Sequence, residues 1–219
     1  ALMALMIGTS ANAQLLGVVP EAPVFDYNSG GVAQFDSNNG NLTITATPLS
    51  FSEDGVVVND IFALTVSPSV TMSVFLDTAC SLTGGDTGDD LVIVGDVDLN
   101  ADFSPEYSGT LLTGEITELG IGTPSGGTAV YDAKFVVSGG ELVTSGHFVV
   151  GDKVALTLDS ENSDFASACD VDWSGGAKGQ IGLLPEVDPP DALALETAPR
   201  ANVDRYDGLR QAGEKRHAS

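Results

Sequence analysis

A run of oxygen-bearing side chains is the clearest chemical feature of this sequence. Asp96, Asp98, Asn100 and Asp102 occupy every second position, and Glu106 follows shortly after them. Calcium ions take about six to eight oxygen ligands, chiefly from carboxylates, amides and carbonyls. The spacing therefore predicts that these five side chains bind Ca²⁺. The alternative is an acidic hairpin end whose side chains are only solvated.

The same run resembles the calcium-binding loops of EF-hand and dockerin-type segments, and the resemblance implies one Ca²⁺ held by residues 96–107. Two positions depart from that pattern. The turn position, usually a glycine, is Ala101, and the position of the bidentate glutamate is Tyr107, one residue after Glu106. A second acidic stretch, residues 86–90, could add carboxylates to this site or hold a second ion.

Three aromatic side chains are candidates for stacking on sugar rings. They are Trp173, which is the only tryptophan, together with Tyr107 and Tyr131. A carbohydrate-binding, lectin-like module would use such rings to cover one face of a sugar. The alternative is that Trp173 fills the core beside a disulfide, as a single tryptophan does in many β-sandwiches.

Few residue patterns indicate catalysis. The chain has two histidines, His147 and His217, and His147 is predicted to lie half-exposed in a strand. The sequence contains no Gly-x-Ser-x-Gly motif, no phosphate-binding glycine loop and no zinc-type group of Cys and His. We therefore predict that the protein is not an enzyme. Because acids are abundant, a glycoside hydrolase that uses two carboxylates is a further alternative.

The elements that must position these residues are predicted to be β-strands. Short runs of alternating apolar and polar residues are separated by Gly, Asn, Asp and Pro. In residues 41–47, for example, Leu42 and Ile44 face one way and the threonines face the other. We predict an all-β fold, an antiparallel β-sandwich or jelly roll of about ten to twelve strands, with a barrel as the alternative.

Alternation and turn residues together set the predicted strand positions. A hairpin is predicted at Asn39-Gly40, because this dipeptide readily adopts positive φ. The predicted strands cover residues 32–35, 41–47, 61–66, 71–76, 91–98, 107–119, 129–137, 141–150, 153–159, 166–173 and 179–183. No window has the pattern of a capped amphipathic helix.

Two features of the chain indicate export. Residues 1–13 are predicted to be the remnant of a signal peptide: an apolar run over residues 1–7 is followed by small residues and by Ala11-Asn12-Ala13, the small-x-small pattern that signal peptidases cleave, here before Gln14. The two cysteines, Cys80 and Cys169, lie far apart, and in an oxidising compartment such a pair forms a disulfide. We therefore predict a secreted protein, extracellular or at the cell surface, with a Cys80–Cys169 disulfide.

Charge and composition divide the chain. It carries 31 acidic and 8 basic residues, a net charge of −23, and only Lys134, Lys153 and Lys178 are basic before residue 200. So negative a chain is unsuited to binding DNA or RNA. We predict a β-sandwich domain over residues 14–184 and a disordered, Pro-rich linker with a basic tail over residues 185–219. No apolar run predicts a transmembrane segment.

Residues 88–91, 107–115 and 174–179 resemble secreted, β-rich bacterial proteins of the PEP-CTERM type, which exosortase systems sort to the cell surface or matrix. Pro185-Glu186-Val187 stands where the sorting tag begins, but no transmembrane run follows it. The resemblance implies structural or adhesive work outside the cell, with extracellular polysaccharides or matrix proteins as partners. Together with the predicted ligands, it indicates a calcium-stabilised surface protein.

Overall fold

The structure, a computed structural model, describes residues 14–122 and 126–185. In this part of the chain the all-β prediction is confirmed, because eleven antiparallel strands form one sandwich-like sheet. These residues belong to a unit that ends at Pro185. The predicted signal peptide over residues 1–13 and, beyond Pro185, the predicted linker and tail lie outside the described residues.

The strands vary widely in length, from four to sixteen residues. In chain order they are β1 Glu21–Asp36, β2 Asn41–Ala46, β3 Pro48–Ser52, β4 Asn59–Phe62, β5 Ser69–Leu76, β6 Leu82–Gly85, β7 Leu91–Val97, β8 Tyr107–Ile121, β9 Thr128–Gly139, β10 Lys153–Glu161 and β11 Trp173–Leu183. A single helical turn, α1 Glu141–Thr144, lies between β9 and β10.

Two strands with several partners close the sheet on itself. The strand order is β11-β10-β9-β8-β7-β4-β3-β1-β2-β5-β6, and β1 also pairs with β11 while β7 also pairs with β5. One edge of β1 pairs with β11 almost throughout, and the other edge is shared between β3 and β2. Among the described strands, only β6 therefore has a partner on one edge alone, which limits edge-to-edge association.

Large apolar side chains on the inward-facing positions fill the interior. Phe25, Phe35 and Phe135 are among the fully buried ones. Successive side chains of a strand point to opposite faces of the sheet, so every second residue can face the interior. In β5, buried residues accordingly alternate with more exposed ones along the whole strand. Burying a side chain of this kind contributes roughly 1.5–3 kcal/mol, so these positions supply most of the stability of the sheet.

The predicted hairpin at Asn39-Gly40 is confirmed. Asp36 of β1 pairs with Asn41 of β2, and the N–H of Gly40 donates to the Asp36 carbonyl at 2.8 Å. Gly40 has a left-handed φ of 73°, and a Cβ at this residue would lie 2.5 Å from the carbonyl oxygen of Leu76. Both the turn and the close approach therefore require glycine.

The strand predicted over residues 141–150 is wrong. These residues form α1 followed by turns. Gly140 redirects the chain with a φ of 119°, and Leu142 is the buried residue of the helical turn. Val149 and Val150 are instead 63% and 61% exposed, so their apolar character does not mark a core position. No helix in the described ranges is long and apolar enough to cross a membrane.

Other differences from the predicted strands occur where alternation is interrupted. Residues 166–172 form a loop that contains the disulfide-bonded Cys169, and β11 begins only at Trp173. β1 starts at Glu21, well before the predicted start at Val32. β3 and β6 are not among the predicted strands. β3 begins with proline and β6 ends in two glycines, and both residue types are uncommon inside strands.

The predicted disulfide is confirmed. Cys80 and Cys169 are bonded, with Cα atoms 5.2 Å apart, and both are buried. The bond joins the turn after β5 to the loop before β11, across a sequence separation of 89 residues. On the chain-entropy model, a cross-link over such a separation stabilises the folded state by roughly 4–5 kcal/mol.

Candidate functional site

Three loops meet at one end of the sheet, and we call this end the tip. They are residues 53–58 after β3, residues 98–106 after β7 and residues 145–152 after α1. Val57 of the first loop and Leu99 of the second line the same cleft, whose volume is about 200 Å³. The predicted calcium ligands that follow β7 therefore lie at the tip.

A cluster around His147 attaches the third loop to the other two. The Nε2 atom of His147 lies 2.8 Å from the hydroxyl oxygen of Tyr107 and 3.5 Å from Oε1 of Glu53. The His147 ring also meets the rings of Tyr107 and Phe51 edge-on, at centroid distances of 5.2 and 5.8 Å. Sequence reasoning missed this cluster because it placed His147 in a strand and because the members are far apart in the chain.

The tip carries the two most exposed large apolar side chains of the described residues. Val56 is 81% exposed and Phe103 is 80% exposed. Further exposed apolar residues on the same loops are Val57, Val58, Val149 and Val150. The tip therefore presents an apolar surface, although acidic residues lie between these side chains in the same loops.

Asp96, the first predicted calcium ligand, lies inside the protein with no exposed surface. Its carboxylate accepts hydrogen bonds from the backbone N–H groups of Leu64 at 2.8 Å and Thr65 at 2.5 Å, and from the Ser108 hydroxyl at 2.5 Å. Burial by itself raises the pKa of Asp96, but the bonds from Ser108, Thr65 and Val66 outweigh it and hold that pKa well below its usual range. Asp96 is therefore an ionised group that fixes the loop after β4.

Asp98 organises the tip loop that follows β7. It is almost fully buried, and it accepts hydrogen bonds from the backbone N–H groups of Asn100 at 3.1 Å, Asp102 at 3.3 Å and Phe103 at 2.7 Å. Ala101 and Phe103 have left-handed φ angles of 53° and 64°. The loop therefore turns at Ala101, the position where calcium loops usually have glycine, and the Asp98 carboxylate offsets the strain of that turn.

Glu106 closes the same loop from its other end. Its Oε2 atom accepts a hydrogen bond from the N–H of Leu99 at 2.6 Å, and its Oε1 atom accepts one from the side-chain amide of Asn100. The N–H of Glu106 in turn donates to the carbonyl of Val97 at 2.9 Å. These bonds bring the side chains of Asn100 and Glu106 into contact.

The structure thus brings together only part of the predicted calcium ligand set. Asp98, Asn100, Asp102 and Glu106 share one loop, whereas the carboxylate of Asp96 is directed at another. Within residues 14–122 and 126–185, no three Asp, Glu, His or Cys side chains form a group that could hold a metal ion. Calcium binding stays a prediction.

Two more buried aspartates serve the backbone in the same way as Asp96. Asp132 accepts hydrogen bonds from the N–H groups of residues 16–18 at 2.7–3.3 Å and so fixes the N-terminal segment to β9. Asp90 accepts hydrogen bonds from the N–H groups of Asp86 at 2.6 Å and Ile116 at 2.8 Å. The buried carboxylate of the acidic stretch 86–90 is therefore used internally.

Two of the predicted sugar-stacking residues lie in the core. Trp173 is 2% exposed, and its ring centroid lies 5.8 Å from that of Phe35, 5.5 Å from that of Tyr131 and 5.2 Å from that of Phe165. Tyr131 is 1% exposed, and burial raises the pKa of its hydroxyl. Neither ring offers a face to a ligand, so the core alternative describes Trp173. Tyr107, the third candidate, is half-buried against His147.

Comparison with known proteins does not assign this chain to a family. No family model, no curated protein and no solved structure matches the chain. The resemblance to proteins of the PEP-CTERM type stays a prediction.

Proposed function

We propose that this protein is a secreted or cell-surface structural domain that adheres to extracellular partners through its tip and catalyses no reaction. The observation that carries the proposal is the set of exposed apolar side chains on three neighbouring loops, led by Val56 and Phe103. Apolar patches on soluble domains commonly mark binding surfaces. The strong negative charge of the chain would keep copies apart in solution and leave the tip free for other partners.

The scaffold behind the tip supports an adhesive role. The sheet closes on itself, the Cys80–Cys169 bond ties two loops together, and Asp96 and Asp98 fix two more. Loops held in one arrangement lose little conformational entropy when they bind a partner. The disulfide also favours an oxidising compartment, which agrees with the proposed location outside the cell.

We assign calcium a stabilising role in the same proposal. Asp98, Asn100, Asp102 and Glu106 supply carboxylate and amide oxygens within a single loop of the tip. An ion bound there would replace hydrogen bonds that Asp98 and Glu106 accept from the loop, offset the mutual repulsion of the three carboxylates and stabilise the folded state by mass action. Asp96 is not part of this set, because its carboxylate faces the loop after β4 and not the loop that carries the other four side chains.

The adhesive tip is tested with the triple variant Val56→Ser, Val57→Ser and Phe103→Ser. We expect its retention on surfaces coated with extracellular polysaccharide, matrix protein or a plain alkyl layer to fall by about tenfold or more. The matched control is Val19→Ser with Val171→Ser, two exposed valines outside the tip loops. Equal retention of the two variants would contradict the proposal.

The calcium role is tested separately by thermal unfolding in EDTA and across a calcium titration. We expect the Tm to rise with calcium in the wild type and to stay constant in Asp102→Asn with Glu106→Gln. Asp170→Asn, which changes an exposed aspartate outside the tip, should respond like the wild type. A wild-type Tm that ignores calcium would overturn this part of the proposal and leave the adhesive tip standing.

A further inference from the structure

A polar groove of about 330 Å³ lies on the outer face of the sheet, across β1, β11 and the C-terminal end of β10. β10 begins beside the tip loop 145–152 at Lys153 and ends at the groove at Glu161, eight residues later. At about 3.3 Å per residue, the groove and the tip are separated by roughly 26 Å along this strand. The groove is therefore a different surface from the one to which adhesion is assigned above.

Backbone irregularity and missing side chains open the groove. The pairing of β1 with β11 shifts register between Tyr27 and Gly31, next to the groove. Beyond this shift, Gly176 of β11 pairs with Val32 of β1, and as a glycine it adds no side chain to the outer face of the sheet. The floor of the groove is therefore backbone, to which a flat ligand could approach closely.

Polar side chains with both donor and acceptor atoms form the walls. Lys178 and Glu161 make an ion pair, and Asp159, which stands opposite Lys178 in the ladder, lies beside them. Asn162 and Ser174 also line the groove. Those that belong to β10 and β11 point outward, because they alternate along the strands with residues that are buried or partly buried.

The balance of charge selects the chemical class of ligand. One ammonium and two carboxylates face the groove, and Lys178 is already paired with Glu161, so the net charge is negative and disfavours an anion. A neutral molecule with many hydroxyl groups can donate to Asp159 and Glu161 and accept from Lys178 and Asn162, whereas a cation could satisfy only the acceptors. Among the described residues no aromatic side chain lines the groove, so recognition would rest on hydrogen bonds.

We infer that this groove binds a neutral saccharide unit through Lys178, Glu161, Asp159, Asn162 and Ser174. The inference stands independently of the tip and replaces the buried rings of Trp173 and Tyr131 as the route to carbohydrate recognition. Because no ring covers the sugar, a single unit should bind with a Kd of about 1 mM, and a polysaccharide should bind more tightly by presenting repeated units.

The experiment titrates the full chain, labelled with ¹⁵N, with neutral tetrasaccharides of glucose and N-acetylglucosamine and follows backbone amide shifts. We expect saturable shifts confined to residues 159–162 and 174–178 for at least one neutral sugar, and binding at least about tenfold weaker for its sulfated counterpart. A sulfated sugar that binds more tightly would overturn the neutral class. The absence of saturable shifts up to about 20 mM would overturn the site.

Variants locate the binding. Gly176→Val fills the floor of the groove at a strand position whose φ is not left-handed, and it should weaken binding by about tenfold or more. Thr71→Val, on the outer face of β5, is the matched control and should bind like the wild type. Ser174→Ala, a milder change at an exposed side chain, should weaken binding and remains informative if Gly176→Val does not fold. Unchanged binding by Gly176→Val or Ser174→Ala would contradict the assignment.

The triple variant at the tip separates this inference from the proposed adhesion. It retains every groove residue, so we expect it to bind the tetrasaccharide with the wild-type Kd. Loss of sugar binding in the tip variant would place the saccharide at the tip and overturn the groove assignment.

Discussion

The tip and the groove lie at opposite ends of β10, and both carry acidic side chains, yet the two regions use them differently. At the tip, Asp98 and Glu106 accept hydrogen bonds from their own loop, while apolar side chains face solvent. At the groove, Glu161 pairs with Lys178, and Asp159 remains exposed. The role of a carboxylate in this protein therefore depends on whether unpaired backbone N–H groups lie within its reach.

Backbone N–H groups take the place of basic side chains in the interior. Before residue 200 the chain has only three lysines. A carboxylate that accepts two or three backbone hydrogen bonds has partners for its oxygens even when it is buried. The buried aspartates that accept such bonds are Asp90, Asp96, Asp98 and Asp132. Within the part of the chain that the structure describes, the buried carboxylates are therefore held by backbone donors and not by buried cations.

The largest effect is expected from Asp96→Asn. One carboxylate oxygen accepts the backbone N–H groups of residues 64–66, and the other accepts the hydroxyls of Thr65 and Ser108. Asparagine keeps one acceptor, turns the other into an NH₂ donor and removes the charge that strengthens these bonds. We expect the free energy of unfolding to fall by roughly 2–3 kcal/mol, as measured by urea unfolding at pH 7. Asp159→Asn, at the exposed groove, should leave it unchanged within error. Equal losses in the two variants would remove the distinction between the two regions.

A smaller effect is expected when the pH is lowered. The pKa of Asp96 in the folded state lies below its value in the unfolded chain, which is about 3.9. The stability that Asp96 contributes is therefore complete above about pH 4 and is lost as the pH falls towards the folded-state pKa. Urea unfolding between pH 7 and pH 2 should show a shallower loss for Asp96→Asn than for the wild type. A parallel decline in both proteins would contradict the assigned direction.

A local effect is expected where Asp132 fixes residues 16–18. A Cβ at Gly120 would lie 2.2 Å from Oδ1 of Asp132 and 2.7 Å from the backbone nitrogen of Leu16. Gly120→Ala should therefore release the N-terminal segment, cost about 1–2 kcal/mol and remove hydrogen-exchange protection from residues 16–18. Gly139→Ala is the control, because a Cβ there makes only an ordinary contact of 3.4 Å with Thr113.

A double-mutant cycle tests specifically whether Gly120 acts through the hydrogen bonds between Asp132 and residues 16–18. Because Gly120→Ala and Asp132→Asn disturb the same interaction, their combined cost should be smaller than the sum of the two single costs. If the two losses in the free energy of unfolding are additive, Gly120 and the hydrogen bonds of Asp132 act separately.

Sequence patterns predicted the parts of this fold that depend on local chemistry. Alternation identified β2, β5 and most of the long strands, Asn39-Gly40 identified the hairpin, and the two lone cysteines identified the disulfide. The strand predicted over residues 141–150 was wrong, because alternation alone cannot distinguish a core position from an exposed apolar loop. Val149 and Val150 show this, since both are exposed at the tip.

The sites were harder to predict because their partners are distant in the sequence. The spacing of Asp96 and Asp98 is visible in the chain, but the loop after β4 that occupies Asp96 lies about thirty residues earlier. The groove combines residues of β1, β10 and β11, and no short window contains its walls. Such a site becomes visible only when the register of the paired strands is known.

The smallest effect on stability is expected at the groove ion pair. The hydrogen bond and the charge of Glu161 raise the pKa of Lys178, but both side chains are exposed, so water and salt screen their attraction. We expect the Tm of Lys178→Met to equal that of the wild type, as for Lys134→Met, which removes the matching pair with Glu118 outside the groove. Only Lys178→Met should weaken saccharide binding. A lower Tm for Lys178→Met alone would assign the pair to folding, and the groove would then resemble the tip in using its charges for structure.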